Sequence, residues 1–361
     1  MKISYVMNVL NGEPFIKYQL DSIYKFAHEI IIIEGAYKKF AHAAVYGRSK
    51  DDTIKTIENY NDIENKIRLI ANDGYYDDRK EMCNEFLKHV TGDVIWQVDA
   101  DEFYSNETHL YIKKMFKTDP KLDLVSFNFQ NYYISSSYYI DGYNSVGLGD
   151  VNRVFRFEVG DSWLSQRPPT LMDSNMKKKV VRKNINGSML EKEKHIIHHA
   201  SLIFEDQIRD KFKYYSSMWP SIAKDQNWLE DTWGNFENKY NLGGMNSHIT
   251  FLRKNNYETP FELKEMFSDI INKKITTYSI HSDEHLLSFV NSEIYDEYIE
   301  VACYINSLDV LKSLESFRRF LNVIMFTYTK IDRKSGGFAR GVLLKKLARI
   351  IFRIIKRRSL C

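Results

Sequence analysis

Thr91-Gly-Asp-Val-Ile-Trp-Gln-Val-Asp-Ala-Asp-Glu102 is the stretch on which the reading of this chain turns. Val94–Val98 is a short, mostly apolar run, bounded by Gly92 on one side and by acids on the other, and it reads as a buried strand. In open α/β sheets, ligands collect outside the C-terminal ends of the strands, and Asp99 and Asp101 fall at such an end. Two carboxylates one residue apart, where regular pleating stops, can both turn toward one hard cation such as Mn2+ or Mg2+. A divalent cation there can grip a diphosphate and stabilise it as a leaving group.

Moving outward, short apolar runs alternate with longer amphipathic stretches, the pattern of an α/β fold with a mostly parallel sheet. Ile3–Leu10 reads as a strand, followed by a turn at Asn11-Gly-Glu-Pro14 and a helix over Phe15–Phe26. Glu29–Glu34 is a continuous run of isoleucines between two acids and ends at Gly35, as expected of a strand covered on both faces. Ser49-Lys-Asp-Asp-Thr53 carries capping residues ahead of a second helix. Ile67–Ile70 reads as a third strand, and Arg79–Val90 as a third helix. Beyond the acids, Leu122–Phe129 and Asn152–Glu158 read as strands and Tyr132–Tyr143 as a loop or hairpin. Residues 161–194 are polar, with Pro168-Pro169 and Lys177–Lys179, and read as a mobile segment able to close over a ligand. His195–Ile203 is a strand, Phe204–Trp219 a helix, and residues 260–330 carry helical patterning.

With these residues in order, the N-terminal half resembles a family 2 glycosyltransferase of the GT-A fold. Asn8–Glu13 resembles the turn after the first strand that faces the nucleotide, and Ile33-Glu34-Gly35 resembles a strand end whose acid meets the base. Ser49–Thr53 resembles the segment that follows, and Arg79 and Asn84 resemble a basic residue and an asparagine ahead of the Asp99-x-Asp101 strand. The resemblance covers roughly residues 1–105, with looser support to about 219. It implies nucleotide-facing roles for Asn8, Asn11, Glu13, Glu34, Asp52, Arg79, Asn84 and Asp99-Ala100-Asp101. His195-Ile-Ile-His198-His199 resembles a segment in which a histidine completes the metal shell, and His199 is the matching residue. Asp99, Asp101 and His199 are therefore the expected ligands of Mn2+ or Mg2+. Relatives carry an acidic base after an Arg-x-Phe-Arg strand; here Arg153-Val-Phe-Arg156 and Trp163 lead only to Gln166-Arg-Pro-Pro, leaving Asp161 and Asp173 as candidate bases and Arg167 as a possible diphosphate contact. Asp52 also reads as a plain helix cap, and Trp163 as buried packing.

The implied architecture is a GT-A domain over residues 1–220, Rossmann-like with flanking helices, then a helical region over 221–335 and a tail helix over 336–361. Residues 333–361 hold ten Lys or Arg and no acid, whereas residues 1–332 carry 41 basic against 48 acidic residues. An acidic body argues against nucleic acid as a partner. In Val342–Arg358, Leu343, Leu344, Leu347, Ile350, Ile351, Ile354 and Ile355 line one face and cations the other, the pattern of a helix lying on an anionic membrane surface. The apolar run is too short to span. Three cysteines without a CxxC pair fit a reducing compartment. The first ten residues are too short for a secretory signal, so a cytoplasmic location, peripheral to the inner face of the membrane, is expected. The implied reaction is inverting transfer from a nucleoside diphosphate sugar, UDP first, to a glycan or lipid-linked glycan of a cell-surface polysaccharide. A nucleotidyltransferase and a non-catalytic binding protein of degenerate fold are the rivals; the former usually needs a Gly-rich basic loop near the first strand, which Asn11-Gly-Glu-Pro14 is not.

Overall fold

The computed structural model describes residues 1–133, 135–141, 150–166, 168–204 and 251–278, with scattered positions over 207–213 and 288–296. The chain divides into two compact units, one formed by Met1–Asn131, Gly149–Phe204 and Asn256–Ile280, the other by Tyr132–Leu148, Glu205–Asn255 and His281–Cys361.

The first unit begins β1 (Ile3–Val9), α1 (Phe15–Tyr24), β2 (Glu29–Glu34), α2 (Thr53–Glu58), β3 (Ile67–Ala71), α3 (Arg79–Leu87) and β4 (Val94–Val98). It continues through β5 (Glu102–Phe103), α4 (Asn106–Thr118) and β6 (Leu122–Phe127); β7 (Phe129–Tyr133) and β8 (Ser135–Asp141) follow along the chain. Then come β9 (Val151–Arg156), β10 (Ser162–Gln166), β11 (Pro169–Met172), β12 (Lys183–Ile185), α5 (Gly187–Lys192) and β13 (Ile197–Leu202), and after these β14 (Phe251–Lys254) and α6 (Phe261–Ile271). A seven-stranded sheet takes the order β12-β6-β9-β4-β1-β2-β3. β9 runs antiparallel to β4 and β6, and the other pairs are parallel. This is the mixed α/β, mostly parallel architecture that the resemblance implies.

The central strands are mostly apolar because both faces are covered. Ile3, Tyr5, Met7 and Val9 of β1, Ile30 and Ile32 of β2, and Val94, Trp96 and Val98 of β4 enter one core with α1 and α4. Val6, Ile31, Ile33 and Ile95 enter the other, with Met82, Cys83 and Phe86 of α3. Each such side chain contributes about 1.5–3 kcal/mol by leaving water. Helix starts follow their caps: Asp78 accepts from the Glu81 amide at α3, Ser105 from Thr108 at α4, and Asn186 from Met189 at α5. α6 lies on α1, where the Tyr18 hydroxyl donates to Asp269 at 2.7 Å.

Residues 161–166 and 168–194, read from their polarity as a mobile segment, carry regular structure. β10 and β11 form an antiparallel hairpin, and β12 joins the sheet beside β6. The sparse apolar residues explain it: Trp163 and Leu171 are buried in the α3 core, Trp163 edge-on to Phe86 and Phe155, while Ile185 and Leu190 are buried in the other. Arg167 lies outside the described residues, as do the helix expected at Phe204–Trp219 apart from a few positions, most of the 221–335 region beyond α6, and the 336–361 tail. In the second unit, β8 and β14 pair antiparallel, and the Leu252 amide donates to the Tyr295 hydroxyl at 2.6 Å.

Candidate active site

β4 delivers Asp99 and Asp101 to the C-terminal edge of the sheet, where α3 also begins, so Arg79 at the first position of that helix meets Asp99 at 3.4 Å. Arg153 of β9 meets the other Asp99 oxygen at the same distance and forks onto Glu102. Burial would push the Asp99 carboxyl up, but Arg79 and Arg153 outweigh it and hold it below the ordinary range. Glu102 is fully buried; desolvation pushes it up to about 7 against the pull of Arg153.

Asp101 has a different neighbour. β13 pairs antiparallel with β5, setting His199 opposite Glu102, and the Ala200 amide donates to the Asp101 carbonyl at 2.8 Å. His199 Nε2 thereby stands 3.8 Å from Asp101 Oδ2. Its Nδ1 donates to Asn131 Oδ1 at 2.7 Å and its ring stacks on Phe129 at 4.5 Å. The Asn131 oxygen behind Nδ1 fixes the ring with Nε2 turned toward the acid, the way metal-binding imidazoles are oriented. His198, on the opposite face of β13, is buried, and desolvation takes it down to about 3. Among the described residues, no three His, Cys, Asp or Glu side chains form a ready-made cation cage. The donor set of Asp101, His199 and Asp99 suits an ion whose shell substrate oxygens complete, since Mg2+ sites commonly take one or two carboxylates plus phosphates.

The turn after β1 and the segment before α2 are latched together. The amide of Asn11, a residue with φ +53°, donates to Ser49 Oγ; the Gly12 amide donates to Thr53 Oγ1 and the Glu13 amide to Asp51. The Glu13 side chain accepts from Thr56, and Asn11 Oδ1 accepts from the Lys50 amide. Asn8 and Glu34 sit at the ends of β1 and β2 but turn to opposite faces: Asn8 donates to Cys83 Sγ of α3, and Glu34 accepts from the Ser49 amide. Each keeps one buried oxygen without a partner, Asn8 Oδ1 and Glu34 Oε2, as a site built for a polar ligand would.

The remaining expected residues have other neighbours. Asp52 is exposed and makes no cap bond, facing Lys55 at 4.0 Å, while Asp51 holds Thr53. Asn84 accepts from the Trp163 amide at 2.7 Å and so anchors the β10 hairpin. Ala100 packs on the main core. Asp161 is buried in an ion pair with Lys179 at 2.5 Å and accepts from the Glu158 amide. Asp173 closes a turn onto the amides of Asn175 and Lys177. Arg153, Asn131 and Asp51 were not among the expected site residues; Arg153 could have been found by its place on the Phe155 face, since an arginine pointing inward needs an acid.

Parts of two solved structures are similar to this chain. One is S. aureus TarS 1-349 in complex with UDP-GlcNAc, 21% identical over 37% of this chain and 35% of that one, with TM-score 0.28. The other is glucosyl-3-phosphoglycerate synthase from Mycobacterium tuberculosis with Mn2+, UDP-glucose and phosphoglyceric acid, 20% identical over 36% and 44%, with TM-score 0.27. The matched stretch is less than half the length of either protein, and superpositions this partial carry no argument about activity. No family model matches the chain, and no curated protein does.

Proposed function

We propose that this protein is a family 2-like GT-A glycosyltransferase that moves a sugar from a nucleoside diphosphate donor, UDP first, with a divalent cation at Asp99, Asp101 and His199. The observation that carries the reading is the Asp101–His199 pair at the end of β4, its imidazole oriented from behind by Asn131. Bound Mn2+ or Mg2+ would supply Lewis-acid charge to the departing diphosphate. The chain supplies the rest. Asp101 and His199 orient, Arg79 adds fixed positive charge at the start of α3, and the unpartnered oxygens of Asn8 and Glu34 offer acceptors to the nucleoside. Asn11, Glu13 and the Ser49–Thr53 segment, bonded to one another beside the ends of β1 and β2, would face the nucleotide, with Asp52 at their exposed edge.

The acceptor is proposed to be a glycan or lipid-linked glycan in cell-surface polysaccharide synthesis, with inversion at the anomeric carbon. The basic tail would hold the enzyme to the inner face of an anionic membrane; among the described residues, no helix is long and apolar enough to cross one. Asp161 and Asp173 are occupied by Lys179 and by a turn, which favours an as yet unassigned base and keeps a non-catalytic binding protein as the second reading.

Thermal unfolding with UDP, with and without Mn2+, tests the proposal. A ligand at a hundred times its Kd adds about 2.7 kcal/mol. Stabilisation that requires Mn2+ and disappears in Asp101→Ala is expected, together with turnover of a UDP-sugar. Binding without turnover across a UDP-, GDP- and dTDP-sugar panel would select the binder. Metal-independent binding that survives in Asp101→Ala would refute the cation site.

A further inference from the structure

Two guanidinium groups hold Asp99, and one of them is built into the rest of the site. The antiparallel register that sets Val154 opposite Trp96 brings Arg153 level with the end of β4. Arg153 Nε donates to Glu102 Oε2 at 2.8 Å, and Nη2 bonds Glu102 Oε1 while reaching Asp99 Oδ2 at 3.4 Å. The guanidinium also lies 5.8 Å from the centre of the Phe129 ring, the same ring on which His199 stacks. Arg153 is 5% exposed and Glu102 is 0% exposed, so water does not loosen the fork. A two-pronged guanidinium–carboxylate contact fixes the relative planes of both groups, which a single ammonium cannot do.

Glu102 follows Asp101 directly, and its strand partner is His199. Locking Glu102 therefore locks the backbone that carries Asp101 and the pairing that carries His199. We propose that Arg153 is a positioning residue of the donor site: its fork on Glu102 and its contact with Asp99 set the acids on either side of Asp101, so that Asp101 and His199 converge on one cation. This rests on the donor-site reading above. The competing explanation is that Arg153 only neutralises a buried acid.

Two variants separate these. Arg153→Lys keeps the charge and loses the fork. The pair Glu102→Gln with Arg153→Met removes both charges, so no uncompensated ion is left in the interior. Mn2+ affinity is read in the presence of UDP by electron paramagnetic resonance of free Mn2+, alongside Tm. The proposal expects Mn2+ to bind at least about tenfold more weakly in Arg153→Lys, the scale seen when groups orienting metal ligands are lost. The paired variant should show the same loss even where its Tm is close to wild type. Wild-type Mn2+ affinity, within about twofold, in either folded variant would overturn the positioning role. Absence of Mn2+-assisted UDP uptake in the wild-type protein would sink the donor-site reading instead, a result distinct from any variant effect.

Discussion

His109 offers a pH test whose size follows from its surroundings. It is 1% exposed on α4, enclosed by Tyr5, Phe26, Trp96 and Tyr104, and its Nδ1 accepts from the Tyr5 hydroxyl at 2.8 Å. Burial takes its pKa from 6.5 down to about 3, with Lys25 adding to the effect. The folded protein thus keeps this imidazole neutral while the unfolded chain binds a proton below pH 6.5. Stability from this group is fully present above that value and is lost as pH falls toward 3. Between pH 7.5 and 5 the loss is about 2 kcal/mol, from 1.36 kcal/mol per unit over one and a half units. Glu102, raised to about 7, works with the opposite sign in the same window, so the overall curve mixes the two. The difference between wild type and His109→Gln isolates the histidine. Urea unfolding of both at pH 7.5 and 5 should show the wild-type advantage shrinking by about 2 kcal/mol. An advantage that is unchanged, or that grows, would refute the neutral-histidine account.

Asp161→Asn breaks a buried pair with Lys179 and should lower stability by about 3 kcal/mol while leaving kcat of the folded protein within about twofold; a large kcat loss at unchanged Tm would make Asp161 the base after all. Gly47→Ala should cost about 2 kcal/mol or more by calorimetry, because Gly47 has φ +87° and an added Cβ would come within 1.8 Å of the Gly74 carbonyl oxygen. UDP binding should weaken with it, since the Gly47 carbonyl accepts from Ala36 and the segment leads straight to Ser49 and Glu34.

Where a strand is apolar on both faces, periodicity and length suffice, and Glu29–Glu34 and Val94–Val98 emerge with the boundaries read from sequence, β1 and β3 within a residue. The β10–β11 hairpin was illegible for a physical reason. Its polar and apolar residues follow no strict alternation, and what orders it is Trp163 reaching Phe86 and the Asn84 carbonyl reaching its amide, partners from a helix some eighty residues earlier in the chain. No local pattern announces such a contact.

The acids show the same division more sharply. Asp99, Asp101, Asp161 and Asp173 are chemically alike, and their spacing along the chain ranks only the first two as a site. Their partners sort them further. Asp161 has a lysine within 2.5 Å and Asp173 a turn of amides, so each already balances its charge or holds its backbone locally. Asp101 faces an imidazole whose other nitrogen is already bonded, so a cation placed between them would meet a carboxylate oxygen and a ring whose orientation is set. Asp99 stands between two arginines at 3.4 Å, longer than the 2.7–2.9 Å typical of charge-assisted bonds. Under the proposed donor site, a divalent cation would join Arg79 and Arg153 around an acid whose charge they already favour, without displacing the Arg153 contact that sets it.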